Sequence, residues 1–167
     1  MKYLLTILLL GVFLTSFSQT YFVVRHAEKL GSSGSKMNTN PPLSDAGKQR
    51  AEALKDSLQS KKIGYVFSTN TLRTLSTAEP TANYFNLKTK IYDTELNDTF
   101  IAQLLSLREN VLIVGHSNTV DDIVNKLCGS VKIPGSLLDS AYDDLFVIIK
   151  NGKTITFEAR KYGNPSQ

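Results

Sequence analysis

The sequence predicts a three-layer α/β sandwich with a mostly parallel central sheet and an antiparallel edge. Three observations carry that expectation. Short apolar runs alternate with helical patterns of about a dozen residues, as strand–helix–strand crossovers require. Two alternating runs, "LFVIIK" and "KTITFEARK", flank Asn151-Gly152, a hairpin signal that places an antiparallel edge at the C-terminal end. With 167 residues, 41% hydrophobic and 20% charged, the chain can build one core and is too apolar for disorder. No linker, repeat or low-complexity tract divides it.

The first residues are expected to stand outside the fold. Lys2 is a positive n-region, Tyr3 to Leu14 an apolar h-region, and Ser16-Phe17-Ser18 a small-x-small site, which together read as a signal peptide cleaved after Ser18. An apolar run of about twelve residues is short for a spanning helix. The expectation is therefore an exported chain, periplasmic or secreted, with residues 19–167 as the mature domain and no stable membrane anchor. The sole cysteine, Cys128, follows Val120, Ile123, Val124 and Leu127 on a helical pattern and reads as a packing thiol rather than a nucleophile.

"YFVV" is the first strand, ending in Arg25-His26, and the Gly31 to Pro42 stretch is a loop rich in Gly, Ser, Asn and Pro. Ser44 caps a helix whose narrow apolar face is Gly47, Ala51, Leu54 and Leu58. "IGYVFST" is a second strand, followed by the helix "TLRTLSTAEPTANYF", which Pro80 is expected to bend or restart. A short strand from Lys90 to Tyr92 leads into the acidic stretch of Asp93, Glu95 and Asp98, where Asp98 or Thr99 caps a helix through Leu107. "NVLIVGHSN" is the third apolar strand, after which Ser117 or Asn118 caps a helix closed by Gly129.

The chemistry concentrates at strand ends. The chain has two histidines, His26 and His116, each directly after an apolar strand and before a polar turn. In a parallel sheet both emerge at the carboxyl edge, where open α/β sheets bind ligands. Neither has a second His or Cys at ligand spacing, and the permanent cation of Arg25 repels a metal and invites an oxyanion, so no metal is expected. The net charge of +4 is scattered, without a basic helix, an aromatic-basic ribbon or a finger motif, which points to a small anionic ligand and away from nucleic acid. Taken singly, Arg25 reads as an edge-strand surface charge, Arg73 as a solvated helix residue, and Glu28 and Lys29 as solvated loop residues, Lys29 at most a rim contact.

Taken together, the segments resemble a known family. "VVRHAEK", "LSDAGKQRA", "STNTLRTLSTA" and "VLIVGHSNTV" stand in the order of the motifs of the histidine phosphatase superfamily, the phosphoglycerate mutase-like fold. The resemblance spans Phe22 to Val120 and implies that fold for nearly all of the mature chain. It also implies that His26 is the nucleophile, that Arg25, Arg73 and His116 hold the phosphoryl group of a small phosphoester, and that no metal or other cofactor takes part. Two guanidiniums match a phosphomonoester dianion with planar, bidentate hydrogen bonds, and the same cations disfavour an imidazolium at His26. The backbone N–H groups at the helix start, beginning with Ser117, suit the same anion.

The family's leaving-group acid is a Glu in a Leu-x-Glu-x-x-x-Gly-like stretch. Here "IYDTELNDTF" lacks the Gly, Glu95 is the nearest match and Asp93 the substitute. The resulting expectation is an exported, metal-independent phosphatase that works through phospho-His26. Short connections with no capping insertion argue against a mutase. The alternative is a catalytically silent module that binds a phosphate ligand on the same fold.

Overall fold

The computed structural model describes residues 18–31, 39–95 and 98–166, so the signal-peptide reading and most of the Gly31 to Pro42 loop fall outside the described residues. Strand β1 (Ser18–Arg25) starts earlier than the apolar run that predicts it. Ser18 and Gln19 already pair antiparallel with Asn151 and Lys150. Gln19 is buried because its amide is satisfied: Nε2 donates to the Glu109 carbonyl at 3.1 Å and Oε1 accepts from the Tyr21 hydroxyl at 2.7 Å.

Helix α1 (Asp45–Leu58) is capped as expected, with Ser44 Oγ accepting from the Gly47 N–H at 3.1 Å. Its inward face holds Gly47, Ala51, Leu54 and Leu58 and also Arg50, which the apolar pattern alone does not reveal. A Cβ at Gly47 would lie 2.2 Å from the Glu28 carbonyl oxygen, so the glycine lets the segment after β1 rest directly on the helix. Strand β2 (Ile63–Ser68) leads to α2 (Leu72–Tyr84), capped by Thr71. Of the bend or restart expected at Pro80, there is no restart: the helix runs through it as one element. The missing Pro80 N–H falls in its third turn, and packing of Thr77, Ala78, Thr81 and Ala82 outweighs that loss.

Strand β3 (Thr89–Ile91), helix α3 (Asp98–Ser106), strand β4 (Asn110–Gly115) and helix α4 (Ser117–Cys128) follow. The N-cap of α4 is His116, not Ser117 or Asn118: its extended backbone donates its N–H to Thr119 Oγ1 at 2.8 Å. Strands β5 (Asp144–Asn151) and β6 (Thr154–Lys161) form the hairpin. Asn151 still pairs with Thr154, so the loop is Gly152-Lys153, one residue beyond the expected dipeptide, with Gly152 at φ 60°.

The sheet order is β3-β2-β4-β1-β5-β6. β3, β2, β4 and β1 are mutually parallel, and β5 and β6 add the antiparallel edge. Alternation along β1 and β4 divides the core. Tyr21, Val23, Val111 and Ile113 pack with α3 and α4 residues such as Leu104, Val120 and Ile123. Phe22, Val24, Leu112 and Val114 pack with Leu54, Leu58, Ala78 and Ala82 of α1 and α2. This is the three-layer sandwich that the alternating elements predict, each fully buried large apolar side chain contributing about 1.5–3 kcal/mol. Cys128 is half-buried against the first of these clusters, and burial pushes its thiol up, as suits a packing residue. Among the described residues no helix is long and apolar enough to cross a membrane.

Candidate active site

The topology brings the ends of β1, β2 and β4 together. Arg25 lies opposite Gly115, Ser68 opposite Val114, and the ladder continues one step further as the His26 N–H donates to the Gly115 carbonyl at 2.9 Å. A Cβ at Gly115 would meet Thr119 Oγ1 and the Tyr92 hydroxyl, each at 2.6 Å. Only glycine allows the close turn that leads directly into His116. The two imidazoles end with ring centroids 5.4 Å apart in an edge-to-face arrangement.

His26 is buried, and its Nδ1 lies 2.8 Å from the Ala27 carbonyl oxygen. An oxygen can only accept there, so Nδ1 carries the proton and Nε2 keeps its lone pair. Ala27 is itself anchored: its N–H donates to Thr77 Oγ1 at 2.9 Å, and that hydroxyl donates to the Arg73 carbonyl at 2.7 Å. Thr77 therefore ties the histidine loop to the helix that carries Arg73.

His116 has the opposite tautomer. Thr69 Oγ1, 2.9 Å from His116 Nε2, donates its own proton to Thr74 Oγ1 at 3.0 Å, so Nε2–H is the donor to Thr69. His116 Nδ1 is then free to accept from Arg73 Nη2 at 3.4 Å. Arg25, read from sequence as a possible surface charge, is 4% exposed on a central strand. Its Nη1 donates to the carbonyls of Leu138 at 2.8 Å and Asp139 at 3.0 Å, its guanidinium stacks on Tyr142, and its buried Nε has no acceptor.

Burial pushes His26 down to about 3 by penalising the imidazolium; the Ala27 carbonyl opposes this, and Arg25, Arg73 and His116 add to it. His116 is lowered to about 4 by burial, with Arg73 and Arg25 contributing. Both rings are neutral at pH 7. An unfolded histidine titrates near 6.5, so between that value and the folded ones the unfolded chain binds more protons. Stability is therefore fully present above about pH 6.5 and falls as pH drops toward 4 and then 3. Urea midpoints compared at pH 7 and 4.5 are expected to show this loss, and a flatter profile in His116→Gln.

The arginines separate by their counterions. Arg50 is as buried as Arg25 but forms a two-pronged pair with Glu28, Nε lying 2.8 and 2.9 Å from the two carboxylate oxygens. Its Nη1 also donates to the carbonyls of Tyr162 at 3.2 Å and Asn164 at 2.9 Å. This corrects the solvated reading of Glu28, which joins the segment after β1 to α1 and to the C-terminal end. Lys29 remains exposed, its backbone bridged to Leu43. Arg25 has only Asp139 at 3.5 Å, a carboxylate fully open to solvent, and Arg73 has no carboxylate partner among the described residues. Two guanidiniums converge on two neutral imidazoles without a buried anion among the described residues.

Ser117 opens α4, where the first N–H groups of a helix lie ahead of its own hydrogen-bond ladder. Glu95 and Asp93 are exposed on the loop after β3, the Glu95 N–H donating to Asp93 Oδ1 at 3.0 Å, and Asp93 lines a cavity with Thr69, the partner of His116. Thr69, Thr77, Arg50 and Tyr142 escaped the sequence reading. Thr69 and Thr77 lie within the segment quoted for Arg73, so a search for hydroxyls beside the strand end would have found them; Arg50 and Tyr142 carry no local signal. Among the described residues no group of three or more His, Cys, Asp or Glu side chains is placed to hold a metal.

The family model for the histidine phosphatase superfamily (branch 1) matches residues 21–108. No curated protein matches the chain. Among solved structures, the protein histidine phosphatase SixA complexed with tungstate superposes with a TM-score of 0.64 at 19% identity, over 85% of this chain and 96% of that one. A mycobacterial glucosyl-3-phosphoglycerate phosphatase gives 0.62 at 14% identity, covering 89% of this chain and all of the other (100%). Phosphoglycerate mutase from Bacillus anthracis str. Sterne gives 0.61 at 16% identity, over 87% and 93%. The fold shared with these structures and the match from Tyr21 to Arg108 place the chain in the histidine phosphatase superfamily, branch 1.

Proposed function

We propose that the chain is an exported, metal-independent phosphatase that hydrolyses a small phosphomonoester through a phosphohistidine at His26. The observation that carries the reading is the pair of guanidiniums, Arg25 and Arg73, around His26 and His116 without a buried counterion among the described residues. Such a site is electrostatically incomplete until an anion enters, and a phosphoryl dianion supplies the missing charge.

In the first step the His26 Nε2 lone pair attacks phosphorus and the ester P–O bond breaks. Arg25, Arg73, the Ser117 N–H at the start of α4 and His116, once its Nε2–H turns from Thr69 Oγ1 to the incoming anion, stabilise the equatorial oxygens. The leaving oxygen takes a proton, assigned here to Glu95. Water then attacks phosphorus and returns a proton to Glu95, the P–N bond breaks, and inorganic phosphate leaves with His26 neutral again. Export rests on the Lys2 to Ser18 sequence pattern, and Gln19 as the N-terminal residue of the processed protein is its test.

Steady-state hydrolysis of p-nitrophenyl phosphate and of an alkyl phosphate, with and without EDTA, tests the activity. Turnover unaffected by EDTA is expected; phosphate binding without turnover would instead support the silent binding module, a reading favoured by the exposure of both acidic candidates on the loop after β3. Because Glu95 is exposed, Glu95→Gln is expected to slow alkyl phosphate hydrolysis by about 10- to 100-fold and aryl phosphate hydrolysis much less. Asp93→Asn is the control. The same leaving-group dependence in Asp93→Asn, and not in Glu95→Gln, would move the proton donor by two residues.

A further inference from the structure

We propose that Tyr142 is a positioning residue for this site, its ring fixing the Arg25 guanidinium beside His26 for a phosphoryl oxygen. The proposal rests on the phosphoryl-transfer reading above. The Arg25 Cζ lies 4.4 Å from the Tyr142 ring centroid, within the range of a cation–π contact, and the same ring is 5.9 Å from the His26 ring. Tyr142 thus touches the candidate nucleophile and the most buried cation at once.

The segment that carries Tyr142 is built to hold a position. Asn125 of α4 accepts from the N–H groups of Lys132 and Ile133 at 2.7 and 3.0 Å, and the Leu137 N–H donates to the Ser117 carbonyl at 3.2 Å. The Tyr142 N–H donates to Ser166 Oγ at 3.0 Å. Between these anchors the carbonyls of Leu138 and Asp139 take Arg25 Nη1, and the ring covers the guanidinium. With Nη1 committed and the group covered by the ring, Nη2 has among the described residues only the solvent-exposed Asp139 carboxylate at 3.5 Å, a partner that a phosphoryl oxygen can replace. A guanidinium whose plane is fixed loses less entropy on meeting a phosphate than one that must first be ordered.

Tyr142 also lines a cavity of about 330 Å³ with Glu28, Gln49, Arg50 and Asn164, so truncation widens that cavity on the side of His26. The stack needs the aromatic face and not the hydroxyl, which makes phenylalanine the conservative replacement.

The test uses the full chain with Tyr142→Phe and Tyr142→Ala, reading kcat/KM on p-nitrophenyl phosphate and binding of inorganic phosphate by calorimetry. Tyr142→Phe is expected within about threefold of wild type on both. Tyr142→Ala is expected to lose about 30-fold in kcat/KM and about tenfold in phosphate affinity while remaining folded by circular dichroism. Tyr142→Leu, which fills volume without a π face, is expected to resemble Tyr142→Ala and guards against a folding defect in the smaller variant. Wild-type behaviour in the alanine and leucine variants, or equal loss in the phenylalanine variant, would overturn the proposal and leave the phosphatase reading intact. A wild-type chain that neither turns over nor binds phosphate would remove both.

Discussion

His26→Ala is expected to lower kcat by at least about 10⁴-fold while phosphate still binds and the chain still folds. The expectation follows from what the imidazole does and does not support. Its Nδ1 is spent on the Ala27 carbonyl and its Nε2 is the free lone pair, so removal takes away the attacking atom. The anion-holding groups stay, because Arg25 is held by Leu138, Asp139 and Tyr142, and Arg73 by its own helix, not by His26. Burying a neutral imidazole brings its own desolvation cost, so its loss is expected to change stability by no more than about 1–2 kcal/mol at pH 7. Activity within a few-fold of wild type would move the nucleophile elsewhere.

The second large effect is on stability. Arg50→Ala leaves the Glu28 carboxylate half-buried without its partner and removes the donors to the Tyr162 and Asn164 carbonyls. Breaking such a pair from one side costs about 3–5 kcal/mol, and the 21% exposure of Glu28 favours the lower end. For a chain of this size that is a fall of roughly 6–12 °C in Tm. The damage is expected to reach the site, because Glu28 directly follows Ala27 and its carbonyl takes the Ser44 N–H at 2.9 Å. A double variant, Glu28→Gln with Arg50→Met, is expected to be more stable than Arg50→Ala, since it removes both charges together. Equal loss in the double and single variants would show that the lost donors to the Tyr162 and Asn164 carbonyls, not the unpaired carboxylate, dominate.

Much of this architecture is legible in the sequence because burial imposes periodicity. The alternation of Tyr21 and Val23 against Phe22 and Val24 marks a strand buried on both faces, and Gly47, Ala51, Leu54 and Leu58 mark one helix face. His26 and His116 are legible for the same reason: each is the residue at which such a strand stops. Arg50 was not, because a charge on an apolar face reads as a break in the pattern unless its partner, 22 residues away in the chain, is known. Tyr142 and Thr69 contribute through distance and tautomer, neither of which is written in local sequence. Pro80 does not restart its helix, because a propensity for breaking helices is weaker than the packing of the turn around it. Glu95 stays a sequence-based assignment: its motif match is incomplete, and in the structure it is exposed, with its N–H turned to Asp93.

The central claim is covalent catalysis at His26, and trapping the intermediate addresses it most directly. Wild-type protein mixed with p-nitrophenyl phosphate, quenched at alkaline pH where a P–N bond survives, is digested and its peptides are weighed by mass spectrometry. The account predicts one phosphate on the imidazole of His26 in the peptide around Arg25-His26-Ala27, absent from His26→Ala. Phosphate on His116 or on another residue, or turnover with a burst of p-nitrophenol and no phosphorylated His26, would contradict it.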